Sequence, residues 1–526
     1  QAEDGIRDRS PSRGLGDVYK RQLFGCSEED ENEVYNFSWI SNERLVFQMK
    51  DRDENPNGGL YAVNRDGSKP KVLNLSFRKN REFGGRVFKV VELFDPLIDE
   101  GADVLVEIRK GGGSFREERS FYGNIVRLDT FTGPVYHTGQ WPHEEVDFSG
   151  QRVGIIGTGS SAIQSIPIIA KQAGHLYVFQ RTPHYTVPAW NRPLASDPAS
   201  RHSGRKAYGY DADLTIDEIK ADYAGLRQRA RKMLNALAFI PNRQTALEVS
   251  DDQRQSEYEL WWQRGGVPFL GAYTDLLKNW ESNETAAEFV RQKIRQIVQD
   301  PVVAEALLPT YTIGCKRLAV DSGYYETYNR PNVTLVDISE SPIEKITPSG
   351  IRALGREYPL DALIMATGFD AMTGTLLKID IRGRRGISLR DKWADGPRSY
   401  LGLGIAEFPN LFTITGPGSP SVLTNMLQSI EQHVDWIVDC LNYLRDQEIS
   451  EIEATQAAED AWVIHNDEVA DAHIRNSCSS WYVGANIKGK PRVFMPYVGG
   501  FPRYVETCNE IAADGYSGFT LGSTSP

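Results

Sequence analysis

The sequence predicts an α/β protein with a parallel, Rossmann-like sheet, preceded by a β-rich segment of a different kind. The first observation is the short apolar run 153–156, which leads through the glycine-rich turn 157–162 into a stretch with helical spacing. The second is that similar runs, typical of buried parallel strands, recur later in the chain: 176–180, 333–336 and 362–365. The third is a series of short strand-like runs between 23 and 128, separated by turn residues.

The first 22 residues are charged, poor in apolar side chains and without periodicity, so they cannot bury enough surface to become ordered. Residues 2–21 also resemble a translated sequencing-adapter sequence that recurs as an artefact in assembled data. We therefore expect a non-native, disordered leader over 1–22 and exclude it from the fold prediction.

The segment 23–129 contains strand-like runs at 38–40, 44–47, 60–63 and 104–108. Residues 60–67 resemble a blade of the propeller domain of prolyl-oligopeptidase-like peptidases. About two blades cannot close a propeller ring, so we expect this fragment to be poorly stable by itself. No Gly-x-Ser-x-Gly motif occurs in the chain, which leaves a hydrolase without its nucleophile.

The turn 157–162 has the features of a dinucleotide-binding loop. Its first glycine permits a tight turn, and its second lets the backbone approach a pyrophosphate. The amide groups at the start of the following helix would then face the anion. We predict that five consecutive residues bind the cofactor: Gly157, Thr158, Gly159, Ser160 and Ser161.

The residues after the next strand indicate which dinucleotide binds. An NAD site usually has an acidic residue about 20 positions after the glycines, but this chain has Gln180, Arg181 and Thr182 there. An arginine beside a hydroxyl suits a 2′-phosphate, because the guanidinium can donate two charged hydrogen bonds. We therefore predict NADPH, bound in part by these three residues; an exposed arginine after a strand is the alternative.

A second motif lies directly before the glycine turn and consists of Phe131, Gly133, His137, Trp141 and Pro142. This pattern resembles the fingerprint of the Baeyer–Villiger monooxygenases, FAD- and NADPH-dependent enzymes that insert an oxygen atom beside a ketone. The resemblance extends from about residue 130 to about residue 521. It implies that the motif couples two nucleotide-binding domains; a structural histidine and a core tryptophan are the alternatives.

The family opens with a glycine turn for FAD and an acidic residue that pairs with the catalytic arginine. In this chain, no glycine before residue 130 stands between an apolar strand and a helix. We therefore expect a chimeric chain, joined near residues 129 and 130, in which an unrelated segment replaces the first FAD half-domain and activity is impaired.

Lys316 and Arg317 follow an apolar segment and match two positions of the family. The resemblance implies that Lys316 joins the 2′-phosphate site and that Arg317 is catalytic, stabilising the negative charge that develops on flavin and substrate. A permanently protonated, planar donor suits an anion in a dry site. Two solvated cations at a strand end are the alternative.

Three further segments match the family. The turn 366–370 marks the return from the NADPH domain to the FAD domain. A long helix is predicted from Ser421, and the resemblance implies that residues at its start face flavin and substrate: Ser421, Val422, Leu423, Asn425 and Met426. Trp481 lies in the loop 480–486, which in the family folds over nicotinamide and substrate and excludes water. Plain packing is the alternative for the helix start and for Trp481.

The composition narrows the choice of partners. The 526-residue chain has a net charge of −12 and dispersed basic residues, which argues against nucleic-acid binding. No run approaches the roughly 18 apolar residues of a membrane span. The five cysteines lack metal-ligand spacing, and their odd number fits reduced thiols in the cytoplasm. We expect a cytoplasmic monomer without a metal site.

The predicted parts follow one another along the chain: leader 1–22, β-rich fragment 23–129, first part of the NADP-binding domain 130–190, helical insertion 191–310, second part of the NADP-binding domain 311–366, and C-terminal part of the FAD and substrate domain 367–526. The predicted function is NADPH- and FAD-dependent insertion of one oxygen atom of O2 next to a ketone carbonyl, giving an ester or lactone. A flavin enzyme that oxygenates nitrogen or sulfur and a non-catalytic NADPH-binding module are the alternatives.

Overall fold

The computed structural model describes residues 131–189, 220–237, 239, 241–487 and 490–522, and the backbone of six strands between Asn32 and Lys110. The chain divides into two compact units. The first unit comprises residues 1–133 and 340–359, and the second comprises residues 134–339 and 360–526.

The first unit contains antiparallel strands. Four of them form a sheet in sequential order: Asn32–Ser41, Arg44–Asp51, Leu60–Asn64 and Lys71–Asn74. Two more form a separate pair: Lys89–Asp95 and Leu105–Lys110. The leader 1–22 and the connections between these strands lie outside the described residues, and the propeller resemblance and the missing FAD half-domain stay predictions.

Residues 340–359 belong to the first unit and form a three-stranded antiparallel sheet: Lys345–Thr347, Gly350–Ala353 and Arg356–Pro359. Thr132 attaches to this sheet, because its amide and its hydroxyl both donate to the carbonyl oxygen of Pro348, at 3.1 and 2.7 Å. Two of the five fingerprint residues, Phe131 and Gly133, therefore belong to the first unit, and Phe131 is buried.

The second unit is built on a five-stranded parallel sheet. Its strands lie in the order Val333–Asp337, His175–Gln180, Arg152–Ile156, Ala362–Met365 and Val135–His137. All four neighbouring pairs are parallel. The parallel strands predicted from apolar runs are therefore confirmed, and the strand before the glycine turn occupies the centre of the sheet.

The helix Ser160–Gln172 begins at the glycine turn and packs against this sheet. It buries Ile163, Ile166 and Ile169, whose spacing of three residues places them on one face. Because full burial of one isoleucine stabilises a fold by about 1.5–3 kcal/mol, this face fixes the helix and, with it, the glycine turn.

The chain that follows the strand His175–Gln180 contains a largely helical region, as its apolar spacing predicts. Its elements are Tyr223–Arg231, Asp251–Arg264, Val267–Gly271 (a 3-10 turn), Trp280–Ile297 and Pro301–Ala306. Ser250 begins the second of these helices with a capping box, because its hydroxyl accepts from the amide of Gln253. The rings of Tyr258, Phe269 and Phe289 pack together beneath the helices.

The second unit contains further strands and helices besides the parallel sheet and the helical region. The strand Thr186–Pro188 pairs in parallel with Ala319–Asp321, and Glu451–Ala454 pairs antiparallel with Phe519–Gly522. The remaining helices are Tyr324–Thr327, Gly374–Lys378, Leu389–Lys392, Met426–Asp446, Gln456–Asp471 and Phe501–Ala513. Short 3-10 turns occur at Arg384–Gly386, Ser421–Leu423, Ile474–Asn476 and Trp481–Val483.

One helix differs from its prediction. The long helix expected from Ser421 begins instead at Met426. The physical reason is local: the 3-10 turn Ser421–Leu423 ends at Thr424, whose backbone is extended at φ −123° and ψ 175°. Asn425 then caps the new helix, because its side-chain oxygen accepts from the amide of Leu427 at 3.2 Å.

Among the residues that the structure describes, no helix combines the length and the apolar character needed to cross a membrane.

Candidate functional site

The glycine turn is in direct contact with the chain that follows the neighbouring strand. The amide of Gly157 donates to the carbonyl of Phe179 at 3.0 Å, and the amide of Ala366 donates to the carbonyl of Ile156 at 2.9 Å. Gly157 has a φ of +110°, and a Cβ placed on it would lie 2.3 Å from the carbonyl oxygen of Ala366. Only glycine fits there. We call residues 366–371 the crossover loop.

The opposite side of the turn is open. A Cβ placed on Gly159 would meet no atom within 4 Å, and Ser160 and Ser161 are exposed. The helix that begins there has no side-chain cap and no acidic residue in its first turn. Among the described residues, no side chain compensates its first amide groups and the positive end of its dipole, which suits a pyrophosphate.

The two glycines should respond differently to alanine. Gly157→Ala forces a Cβ against a backbone oxygen at positive φ, and we expect a loss of about 2–5 kcal/mol of unfolding free energy. Gly159→Ala, at φ −80° with open space around it, should leave stability within about 1 kcal/mol but weaken nucleotide binding. Thermal unfolding and NADPH titration of both variants measure the two effects. Equal stability of the two variants would contradict the tight contact.

Thr158 joins the turn to the loop that follows the strand His175–Gln180. Its hydroxyl is nearly inaccessible to solvent and donates to the carbonyl of Thr182 at 2.8 Å. Arg181, one residue earlier, is exposed. The structure therefore brings Arg181 and Thr182 beside the turn, as the predicted 2′-phosphate site requires.

Gln180 is the exception among the predicted cofactor-binding residues. Its side chain is fully buried, and its amide donates to the carbonyl of Ala306 at 2.7 Å. Alternation along the strand turns this side chain into the protein, where it fastens the strand to the helix Pro301–Ala306. The side chain of Gln180 is therefore occupied within the protein, and cofactor binding by this residue stays a prediction.

Lys316 approaches the same loop from a different part of the chain. The strand Ala319–Asp321 runs parallel to Thr186–Pro188, and its first amide donates to the carbonyl of Tyr185. The residues that precede the two strands are therefore neighbours. Burial lowers the pKa of His184 to about 4, against a hydrogen bond to Tyr185, and the charge of Lys316 contributes to the fall. Lys316 thus adds a cation close to the loop after Gln180.

Arg317 is exposed rather than buried. It is close to Tyr482, the neighbour of Trp481 in the chain. Burial raises the pKa of this phenol, and the charges of Arg475 and Arg317 counteract the rise. A disulfide between Cys315 and Cys478, with Cα atoms 6.0 Å apart, joins the two segments covalently. The expectation that all five cysteines are reduced thiols is therefore wrong.

The disulfide provides a direct test of this arrangement. Denatured protein should titrate two more thiols after reduction than before, and Cys315→Ser should abolish that difference. Because a cross-link that closes a long loop stabilises a fold by about 2–4 kcal/mol, reduction should also lower the unfolding temperature. Cys440→Ser is the matched control, since Cys440 is a free, buried thiol. An unchanged thiol count on reduction would contradict the pairing.

Apolar residues of two separate segments pack around Tyr482. Val422 and Leu423, from the 3-10 turn, are partly buried together with Trp481 against the cluster formed by Tyr482, Ala470 and Phe494. The Trp481 and Tyr482 ring centroids are 4.3 Å apart. The structure therefore brings the predicted substrate residues, the predicted lid tryptophan and Arg317 into one neighbourhood.

Residues 480–487 together with Lys490, which we call the lid, are fastened to the crossover loop by two side chains. The amide group of Asn486 donates to the carbonyl of Phe369 at 2.6 Å. The ammonium of Lys490 lies 2.7 Å from a carboxylate oxygen of Asp370 and 2.8 Å from the carbonyl of Ala371. The glycine turn, the crossover loop, the lid and Arg317 are thus linked by a continuous series of contacts.

The fingerprint residues of the second unit lie next to the crossover loop. Nδ1 of His137 accepts from the amide of Gly139 at 3.0 Å, and the His137 ring stands edge-on to Phe369 with centroids 6.3 Å apart. Trp141 is 38% exposed and packs against Tyr136. His137 therefore supports the crossover loop, and Trp141 is not the core anchor that we considered as an alternative.

The other predicted residues around 421–426 have mixed surroundings. Ser421 is 2% exposed and its hydroxyl faces the sulfur of Met372 at 3.8 Å. The side chain of Asn425 is used as the helix cap, while Met426 is half-buried. Pro142 is also half-buried. Of this group, Met426 is the residue whose surroundings best allow contact with a ligand.

Sequence reasoning missed several residues of this neighbourhood. Arg475 lies beside Arg317 and Tyr482, and Asn486 and Lys490 fasten the lid. The motif around Trp481 could have indicated Asn486 and Lys490, because both residues follow Trp481 within ten positions. The disulfide joins residues 163 positions apart, and nothing local to either cysteine indicates the other.

The parallel sheet and the glycine turn define a dinucleotide-binding α/β protein. No family model matches the chain. It is 40% identical over 393 residues to a Baeyer–Villiger monooxygenase of Pseudooceanicola batsensis, covering 74% of this chain and 68% of the relative. It is 37% identical over 403 residues to a cyclohexanone 1,2-monooxygenase of Acinetobacter sp., covering 76% and 70%.

Solved structures agree with these relatives. An oxidised steroid monooxygenase bound to NADP is 49% identical, with a TM-score of 0.68 over 75% of this chain and 71% of that one. A closed cyclohexanone monooxygenase is 38% identical, with a TM-score of 0.71 over 80% and 77%. The chain belongs to the Baeyer–Villiger monooxygenases.

Proposed function

We propose that this chain uses NADPH and FAD to insert one oxygen atom of O2 next to a ketone carbonyl, giving an ester or a lactone. The observation that carries the proposal is that a disulfide joins the segment of Arg317 to the segment before Tyr482, whose pKa the charge of Arg317 lowers, and that the lid is fastened to the crossover loop in contact with the glycine turn. One related solved structure is a complex with FAD and NADP, and two structures of cyclohexanone monooxygenase are bound to cyclohexanone and to ε-caprolactone.

The described residues fit NADPH. The open turn around Gly159 supplies backbone amides for the pyrophosphate. Arg181 and Lys316 supply two cations for the 2′-phosphate, and the hydroxyl of Thr158 holds Thr182 at the turn. Because the charged donors stand on one loop and on the segment beside it, they would select NADPH over NADH.

The described residues also fit one side of FAD. The crossover loop is exposed from Thr367 to Asp370, and Met426 stands half-buried at the start of a helix. When bound, FAD supplies the redox chemistry that activates O2. We propose that the residues before 130 contribute no glycine turn to this cofactor, so FAD binding is weak in the chain as it stands.

Arg317 would stabilise negative charge in the reaction. A guanidinium presents a rigid, planar set of donors, and such donors stabilise a developing oxyanion most when water is excluded. Trp481 and Leu423 provide an apolar cover on the side of Tyr482. Asn486 and Lys490 keep the cover closed against the crossover loop.

A direct experiment tests the proposal. The purified chain is supplied with excess FAD and NADPH, and NADPH oxidation is followed with and without a cyclic ketone, together with lactone formation. We expect ketone-dependent NADPH oxidation and a matching amount of lactone. NADPH binding without any ketone-dependent turnover at saturating FAD would contradict the proposal and favour a binding module. Stoichiometric, tightly held FAD after purification would contradict only the missing half-domain.

Oxygenation of an aromatic nitrogen is the second candidate. A phenazine N-monooxygenase of Lysobacter antibioticus is 37% identical over 402 residues and is covered to 70%, so family membership alone does not separate the two reactions. Competition between a cyclic ketone and a phenazine in one assay does so. We expect lactone as the main product, and N-oxide in excess would favour the second candidate.

A further inference from the structure

Arg475 is a second guanidinium in the neighbourhood of Arg317. The disulfide Cys315–Cys478 brings the segments that carry the two arginines together, with Cα atoms 6.0 Å apart. The amide of Ile474 donates to the carbonyl of Leu277 at 3.0 Å, which fixes this part of the chain against the helical region. The position of Arg475 is therefore set by a covalent link and by a backbone hydrogen bond on its other side.

The guanidinium of Arg475 has no counter-charge among the described residues. Its Nε atom is buried and has no hydrogen-bond acceptor, and no described carboxylate forms an ion pair with it. Burial lowers the pKa of Arg475, and the charge of Arg317 lowers it further, against the effect of Tyr482. A desolvated cation beside a like charge is costly unless an anion compensates it.

The other titratable group at this position adds no negative charge. His473, whose Nδ1 accepts from the amide of Arg475 at 3.3 Å, is uncharged near neutral pH. Burial and the charges of Arg475 and Lys278 together lower its pKa to about 3. The nearby charges that lower the pKa values of Arg475 and His473 are therefore positive, those of Arg317 and Lys278, and the apolar side chains of Leu423 and Trp481 pack against the cluster that contains Tyr482.

We propose that Arg475 binds an anionic group of the substrate, so that this enzyme prefers ketones that carry a carboxylate over neutral ketones of the same size. The proposal rests on the proposed function, because it assigns the substrate class of that same site. Arg475 and Arg317 then have separate tasks. Arg475 holds the carboxylate of the substrate, and Arg317 remains available for the charge that develops at the ketone.

Two ketones of equal shape test this preference: 4-oxocyclohexanecarboxylate and its neutral carboxamide. Binding of each is measured by calorimetry on the full chain with excess FAD and NADP, and kcat/KM is measured by NADPH oxidation. A charged hydrogen-bonded pair predicts a preference of about 10- to 100-fold for the carboxylate. The preference should decline as ionic strength rises, because salt screens the pair.

Two variants assign the preference to Arg475. Arg475→Met removes the charge and should lower the carboxylate-to-carboxamide ratio of kcat/KM at least tenfold, whereas Arg475→Lys should retain most of it. Circular dichroism checks that both variants fold. If Arg475→Met does not fold, the lysine variant and the salt dependence of the wild-type protein still test the inference. A carboxylate-to-carboxamide ratio that salt does not change overturns it.

The outcomes separate the inference from the function on which it rests. A wild-type chain that binds both ketones equally, or a ratio that is the same in Arg475→Met, overturns the inference even when the carboxamide is oxidised. Binding of the carboxylate that depends on Arg475, without oxidation of either ketone, supports the anion site and counts against the monooxygenase function.

Discussion

Replacing Arg317 by alanine should lower kcat for ketone oxygenation about 100- to 1,000-fold, the effect expected when a preorganised donor to a developing oxyanion is lost. The reason is the place of Arg317 beside Tyr482, in the same neighbourhood as the apolar cover. NADPH affinity should stay close to the wild-type value, because the cations assigned to the 2′-phosphate are Arg181 and Lys316. Steady-state kinetics with excess FAD and a separate NADPH titration measure the two quantities.

Two variants serve as controls for this prediction. Arg317→Lys retains the charge but loses the planar set of donors, so its kcat should fall about tenfold, less than that of the alanine variant. Arg503→Ala changes an exposed arginine whose partner is Glu506, and it should leave kcat unchanged. A kcat of Arg317→Ala within threefold of the wild-type value would remove Arg317 from the mechanism.

Replacing Arg181 by alanine should weaken NADPH binding about 10- to 100-fold, because a charged hydrogen bond to a phosphate contributes about 1.5–3 kcal/mol. NADH binding should change little, since NADH has no 2′-phosphate. The prediction follows from the contact of Thr158 with Thr182, which holds the loop that carries Arg181 beside the glycine turn. Dissociation constants for both nucleotides are obtained from the fluorescence of the bound nicotinamide.

The matched control for Arg181 is Arg445, an exposed arginine in the last turn of the helix Met426–Asp446. Arg445→Ala should bind both nucleotides like the wild type. Equal losses of NADPH and NADH affinity in Arg181→Ala would show that the substitution disturbs the turn itself. That result would remove the argument for coenzyme choice.

The sheet and the glycine turn could be predicted because their signals are local. The apolar runs of the parallel strands, the two glycines and the helical spacing after them stand within one continuous stretch. The first glycine is required because a Cβ placed on Gly157 would lie only 2.3 Å from the carbonyl oxygen of Ala366. The structure of such a stretch is determined mainly by its own residues and depends little on the rest of the chain.

Other features depend on the rest of the chain and could not be predicted. Gln180 continues a motif but turns inward, because the strand alternates and Ala306 offers an acceptor. The long helix starts at Met426 because Thr424 is extended and Asn425 caps the helix. The link between Cys315 and Cys478 follows from tertiary packing, to which neither local sequence contributes a signal.

The residues of the candidate site also divide into those that a sequence motif indicates and those that only the tertiary structure reveals. Arg317 and Trp481 could be assigned from a resemblance to known enzymes, whereas Arg475 matches no motif and is noticed only through its neighbours. A residue that sets substrate preference need not resemble anything in relatives with other substrates. The chemistry of the site was therefore more accessible from the sequence than its specificity.

Oxygen tracing is the most direct measurement of the central claim. The chain, with excess FAD and NADPH, is incubated with a cyclic ketone under ¹⁸O2, and the lactone is analysed by mass spectrometry. We expect one labelled oxygen atom in each lactone molecule and one NADPH consumed for it. Consumption of NADPH with the ketone unchanged, or a lactone without label, would contradict insertion of an oxygen atom from O2 by this protein.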